Sequence, residues 1–102
     1  MVAPNPKTRK FELGFIHATL PALEALMSGQ AAPEFLDRHA SGDWGEVCPE
    51  DAKANDDAIA HEGDEERQAR VLSAYTTRAG IKFWIITEAD RSSTCILLPD
   101  EY

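Results

Sequence analysis

Two cysteines, Cys48 and Cys95, stand alone in 102 residues, with no C-x-x-C pair. That excludes a disulfide-built scaffold and the usual thiolate zinc sites. The three histidines, His17, His39 and His61, lie far apart, and His61-Glu62 lacks the second histidine of an H-E-x-x-H helix. No metal site and no cofactor is expected. There is no G-x-G-x-x-G turn, no phosphate-binding P-loop and no G-x-S-x-G elbow, so dinucleotide, kinase and serine-hydrolase chemistry have no local support. No apolar run approaches the roughly 20 residues that cross a bilayer, so no membrane partner is expected. The opening, MVAPNPKTRKFELGF, has no apolar signal core, and the expectation is a cytoplasmic protein. Basic residues are also scarce: ten Lys and Arg face eighteen Asp and Glu, for a net charge of -8.

What is present is one domain's worth of chain, with 43% hydrophobic and 27% charged residues, a globular composition. The charge is concentrated. From Asp43 to Glu66 ten acidic residues face Lys53 alone, whereas the first ten residues carry Lys7, Arg9 and Lys10 with no acid. An acidic belt repels phosphate at long range, which argues against non-specific duplex binding. Such a belt is either a solvated helix face or a surface that mimics nucleic acid toward a basic protein.

Residues 1–10, with Pro4 and Pro6 among polar side chains, read as a flexible arm, and residues 11–102 as a single domain. Phe11, Leu13 and Phe15 alternate with polar or small positions and suggest a short strand, weakened by Gly14. Thr19 is a good N-cap and Pro21 fits a first turn, which predicts a helix over about 20–28 with Gly29 as its stop. A second helix is expected from Pro33 through Ala40, where Phe35, Leu36 and His39 share a side. Pro49 opens a third, PEDAKANDDAIAHE, with Glu50 and Asp51 favoured in its first turn and a thin stripe of Ala52, Ala54 or Asn55, Ala58 and Ile59 facing inward.

From Arg70 the period changes to two. RVLSAYTT, IKFWIITE and SSTCILLP read as three strands joined by turns at Arg78–Gly80 and Glu88–Ser92. The expectation is an α+β fold: two or three helices packed on one face of a three- to four-stranded antiparallel sheet. Phe83, Trp84, Tyr75, Ile85, Ile86, Ile96, Leu97 and Leu98 are expected to supply most of the core. Strand 93–98 and the N-terminal strand are the expected sheet edges, through which a homodimer would pair.

The chemistry-bearing residues cluster around Arg38-His39, Ser41, Asp43 and Trp44, and then along Arg70, Ser73, Tyr75, Thr87, Glu88, Asp90, Arg91, Ser92 and Thr94. An accessible histidine at a helix end suits proton transfer near neutrality. Arg70 and Arg91 would neutralise a phosphate, and Ser92 and Thr94 would donate hydrogen bonds to it. Each residue also has a structural reading: a helix-end cation for His39, a turn for Asp43, a plug between layers for Trp44, a charged hairpin tip for Asp90 and Arg91.

The segments RHASGDWG and SAYTTRAGIKFWIITEADRSSTCILLPDEY resemble a family of short bacterial proteins found near mobile genes. Its members carry labels such as "plasmid-related protein" or "type I restriction endonuclease subunit M". The chain is too short for the methyl-donor-binding domain of a modification subunit and lacks its Gly-rich turn. The resemblance therefore implies an association with mobile genes and no methyl transfer. In layout the chain is also similar to barnase-like and RelE-like ribonucleases, which place helices before a small antiparallel sheet and work without metal. That layout implies metal-independent RNA cleavage by His39, Arg70, Arg91, Ser92 and Thr94. The departure is charge, since those nucleases are commonly basic. The other reading is a non-enzymatic binding or inhibitor module, in which Asp43, Asp56, Asp57, Glu65 and Glu66 engage a basic nucleic-acid-binding protein of the host. RNA and a basic protein are thus the two expected partners, and composition alone does not choose between them.

Overall fold

The change of period at Arg70 sets the architecture, because every second residue beyond it is apolar enough to face one core. The structure, a computed structural model, describes residues 10–27, 32–64 and 66–101. In chain order its elements are β1 (Phe15–Ala18), α1 (Leu20–Met27), α2 (Ala32–Ala40), α3 (Pro49–Ala60), β2 (Val71–Thr76), β3 (Lys82–Thr87) and β4 (Ser93–Leu97), followed by a short turn of helix at Pro99–Glu101. The fold is α+β, with three helices and one four-stranded sheet. No helix among the described residues is long and apolar enough to cross a membrane. The arm expected over residues 1–10 lies outside the described residues except for Lys10, as does the expected stop at Gly29.

Strands β2, β3 and β4 form the expected antiparallel meander, with Ser73 opposite Ile85 and Ile85 opposite Ile96. Val71, Ser73 and Tyr75 on β2, Phe83, Ile85 and Thr87 on β3, and Thr94 and Ile96 on β4 therefore share the face toward the helices, and all are buried. Ala22 and Leu26 of α1, Phe35, Leu36 and Ala40 of α2 and Ala58 of α3 close over them in one cluster. Trp44 is buried in that cluster, as its expected role as a plug requires. Two expected core residues, Trp84 and Leu98, are only half-buried. Trp84 lies on the opposite face, with the buried Ile86 and Leu97.

The first strand differs from expectation. Phe11 and Leu13 are buried but precede the strand, and β1 begins at Phe15. Gly14 is the reason: at φ 64° its backbone presses against Arg91 and Ser92, and a Cβ there would lie 2.4 Å from the Arg91 carbonyl oxygen. A left-handed glycine breaks the alternation. β1 then pairs with β4 in parallel, so the sheet is mixed and its order is β1-β4-β3-β2. No hairpin constrains β1, because three helices and two strands separate it from its neighbour, and a long connection permits either direction. Strand 93–98, expected at an edge, is an inner strand.

The two true edges, β1 and β2, are treated differently. The outward backbone of β2 is capped. The Asn55 side-chain amide donates to the Leu72 carbonyl at 2.7 Å and accepts from the Leu72 N–H at 3.1 Å. Further along, Ala74 donates to the Trp44 carbonyl at 3.1 Å and accepts from the Glu46 N–H at 2.7 Å. Gly45 allows this approach. Its φ is 72°, and a Cβ there would lie 2.0 Å from the Ala74 carbonyl oxygen and 2.7 Å from the Tyr75 ring. Gly80 has an equally left-handed φ of 85° but open space around it. Gly80→Ala is therefore expected to cost about 1 kcal/mol of backbone strain. Gly45→Ala is expected to cost at least about 3 kcal/mol, since collision adds to strain. Urea denaturation of both variants measures the gap; equal losses would mean that the 44–46 segment does not hold the β2 edge.

Candidate functional site

Polar residues at inward positions of three strands meet the last turn of α2. His39 is fully buried, and its ring bridges two strands: Nδ1 lies 2.5 Å from Ser73 Oγ and Nε2 lies 2.9 Å from Thr87 Oγ1. Thr87 Oγ1 lies 2.7 Å from Thr94 Oγ1, and Thr94 donates to the Leu13 carbonyl at 2.6 Å. The carbonyl can only accept, which for a neutral ring assigns every proton in the chain. Thr94 spends its proton on Leu13, so it accepts from Thr87. Thr87 then accepts from His39 Nε2–H. The neutral ring is left with a bare Nδ1, which accepts the Ser73 hydroxyl proton.

Burial, reinforced by the positive charge of Arg91, pushes the His39 pKa down to about 3. The imidazole is therefore neutral, in agreement with the tautomer that the hydrogen bonds require. Phe11 closes the pocket, its ring meeting His39 edge-on at 5.2 Å between centroids and stacking on Trp44 at 6.1 Å.

Arg91 is also buried, at φ 60° in the β3–β4 turn. Its guanidinium is engaged on three sides. Nε and Nη2 reach the Glu62 carboxylate at 2.8–3.1 Å, and Nη1 donates to the carbonyls of Ala69 at 2.8 Å and Glu88 at 2.9 Å. The Phe11 ring lies 5.3 Å from its Cζ. A forked pair of this kind is strong and directional.

Of the five residues read as a catalytic set, His39, Arg91 and Thr94 are brought together, around Phe11 and Leu13. They meet inside the protein rather than in a cleft. Arg70 and Ser92 remain exposed at strand ends: Arg70 lies 3.6 Å from Glu88, and the Ser92 N–H bonds the Asp90 carboxylate at 3.0 Å. His39 is not the exposed helix-end cation of the structural reading either.

The residues read as partner-binding are on the surface. Asp43, Asp56, Asp57 and Glu66 are exposed; Glu65 lies outside the described residues. Asp43 pairs with Arg38 at 2.8 Å, which holds its carboxyl below the usual range, and also accepts the Gly45 N–H as a turn. Asp56 accepts from Trp44 Nε1 at 2.9 Å and so anchors α3 to the core. Asp57 pairs with Lys53 along the helix at 3.1 Å. Glu50, Asp51 and Glu66 have no cationic partner among the described residues. No group of three or more His, Cys, Asp or Glu there is placed to hold a metal ion.

Two features of the site were missed. The Glu62 carboxylate that holds Arg91 from the surface sits just past the end of α3, and no local pattern links the two. The Phe11–Leu13 segment was read as strand rather than as a cover over His39. Comparison with protein families, curated proteins and solved structures finds no match to this chain.

The neutral His39 gives stability a definite pH sign. An unfolded imidazole takes up a proton near about pH 6.5, whereas the folded one does so only near about 3. Below the higher value the unfolded chain binds more protons, so stability falls as pH falls. The expected slope from this ring approaches about 1.4 kcal/mol per pH unit as pH falls from roughly 6 to 5, and below about pH 5 the carboxylates titrate as well. His39→Gln keeps one donor and one acceptor but cannot titrate. It is expected to lose about 1–3 kcal/mol at pH 7 and to lose this slope. Urea denaturation at fixed ionic strength measures both quantities. An unchanged slope in the variant would show that the ring is not held neutral.

Proposed function

We propose that this protein is a non-enzymatic binding module whose acidic α3 face engages the nucleic-acid-binding groove of a basic protein. One contrast supports the reading: three of the five side chains suited to catalysis, His39, Arg91 and Thr94, are internal and engaged by other protein groups, while the carboxylates of α3 and its flanks face solvent. A general base must reach its substrate and take up a proton near the working pH. His39 is sealed beneath Phe11 and has a pKa of about 3. The Arg91 guanidinium is held by Glu62 and two carbonyls, which leaves little of it for a phosphate.

The exposed Glu50, Asp51, Asp56 and Asp57, by contrast, lie on a helix joined to β2 by Asn55 and to Trp44 by Asp56. A rigid array of carboxylates presents charge without the entropic cost of ordering a tail. Its complement is a surface of Lys and Arg arranged for phosphate. The resemblance to proteins encoded near mobile genes suggests where such a surface is found: on a host defence or other nucleic-acid-handling protein.

The test is competition. The protein is titrated against a purified basic nucleic-acid-binding protein of host defence already loaded with a labelled short duplex. Displacement is expected, weakening as salt rises. The triple variant Asp51→Lys, Asp57→Lys, Glu66→Lys is expected to weaken displacement at least tenfold. Asp56 is left intact because it holds Trp44. A parallel RNA-cleavage assay with wild type and His39→Ala is expected to show no activity in either. Cleavage lost on His39→Ala would overturn the binding reading in favour of the ribonuclease.

A further inference from the structure

We infer that β1 is a dimerisation edge, pairing antiparallel with β1 of a second copy across a two-fold axis. The inference does not depend on the function of the acidic face. It begins with backbone groups. Phe15 donates to the Ser92 carbonyl and Thr19 to the Ile96 carbonyl, both at 2.9 Å, and the parallel register sets Ile16 opposite Thr94. In that ladder Phe15, His17 and Thr19 turn their backbone groups toward β4, and Ile16 and Ala18 turn theirs away. The outward N–H and C=O of those two residues have no partner among the described residues. The other edge, β2, is capped by Asn55 and by the 44–46 segment.

The side chains repeat the asymmetry. All four residues of β1 are exposed. Of the five large hydrophobic residues exposed among the described residues, four lie between positions 15 and 23: Phe15 at 77%, Ile16 at 46%, Leu20 and Leu23. A bare edge bearing such residues is the feature that proteins ordinarily avoid unless something covers it.

Charge selects the occupant. Residues 13–23 contain no Asp, Glu, Lys or Arg, with His17 as their sole titratable side chain and Glu12 and Glu24 at their limits. In a chain of net charge -8, β1 itself carries no charged side chain; the Glu101 carboxylate stands at its end, accepting from the Thr19 hydroxyl at 2.7 Å. The acidic α3 packs over β2, at the far edge of the sheet, so pairing through β1 keeps the two acidic faces apart. A foreign basic partner would find nothing to attract it at β1. The two-fold arrangement satisfies every outward group of β1: Ile16 pairs with Ala18 of the second copy and Ala18 with its Ile16, giving four backbone hydrogen bonds with the two His17 residues facing each other at the axis. Identical edges related by a two-fold axis are self-complementary in this way.

Sedimentation equilibrium of the full chain at about 100 μM, suited to a short interface, is expected to give twice the monomer mass of 11.2 kDa. Ile16→Pro removes an outward N–H that bonds nothing in β4, so it is expected to leave the circular dichroism unchanged and give a monomer. The double variant Phe15→Lys, Ile16→Lys changes only exposed side chains and is expected to do the same. A wild-type monomer at that concentration would overturn the inference, whether or not a foreign peptide binds the edge. A dimer unaffected by both variants would also overturn it, because the interface would then lie elsewhere.

Discussion

The interaction on which the structure depends is the buried hydrogen-bond chain from Ser73 through His39, Thr87 and Thr94 to the Leu13 carbonyl. It touches α2, β2, β3, β4 and the segment before β1. No apolar contact joins so many elements with defined direction. Each link is worth only about 1 kcal/mol net, but a link left unmade inside a core costs about 1–3 kcal/mol. A one-residue slip of any strand would turn its hydroxyl to the other face and strand the remaining groups. The chain therefore fixes register more than it adds stability, a use to which fully satisfied polar networks are suited. The protonation state is set by burial: desolvation disfavours the imidazolium and the positive charge of Arg91 adds to the penalty, while the chain fixes which nitrogen of the neutral ring carries the proton.

Arg91 completes the frame from the other side. Its left-handed backbone and its grip on Glu62 tie the β3–β4 turn to the end of α3, while Phe11 lies between its guanidinium and the His39 ring. The segment from Lys10 to Leu13 is thus held by a backbone bond to Ala40, by Thr94 and by this aromatic contact. Proton transfer needs a ring that is wet and poised near neutrality, whereas here the same residue types are arranged for dryness. Convergence of His, Arg and Thr is not by itself an active site; solvent access separates the two cases.

Much of this was legible in the chain. The period-two pattern after Arg70 located three strands and their facing sets, because the side-chain alternation of a strand is strict. The polar members of the inward sets were also visible: Ser73 shares parity with Val71 and Tyr75, and Thr87 with Phe83 and Ile85. A hydroxyl at an inward position must find a partner, but His39 was read as an accessible helix-end residue rather than as that partner. What could not be read was whether that meeting point opens to water. This depends on Phe11 and Leu13, more than twenty-five residues from His39, and on a glycine whose backbone contact with Arg91 exists only after folding. The direction of β1 was equally hidden, since no turn joins it to β4. The Glu62–Arg91 pair belongs to the same class of long-range facts.

The contrast between the two sheet edges shows what folding alone does not require. Closing β2 uses an asparagine amide as a substitute strand, a left-handed glycine in collision range of a carbonyl, and a buried tryptophan to hold the segment in place. Trp44 belongs to the core, but neither the amide nor the glycine adds an apolar contact to it, and Gly45 carries the entropic cost of a residue without a side chain. A sequence under pressure only to stay soluble would blunt both edges, and a lysine or a proline in β1 would suffice. Instead β1 presents exposed phenylalanine and isoleucine with no charged side chain of its own, while the acidic α3 packs against β2. The separation places the acidic surface and the uncapped edge on opposite sides of one sheet. Such an arrangement lets a strongly acidic chain associate through one side and keep the other free for a partner of opposite charge.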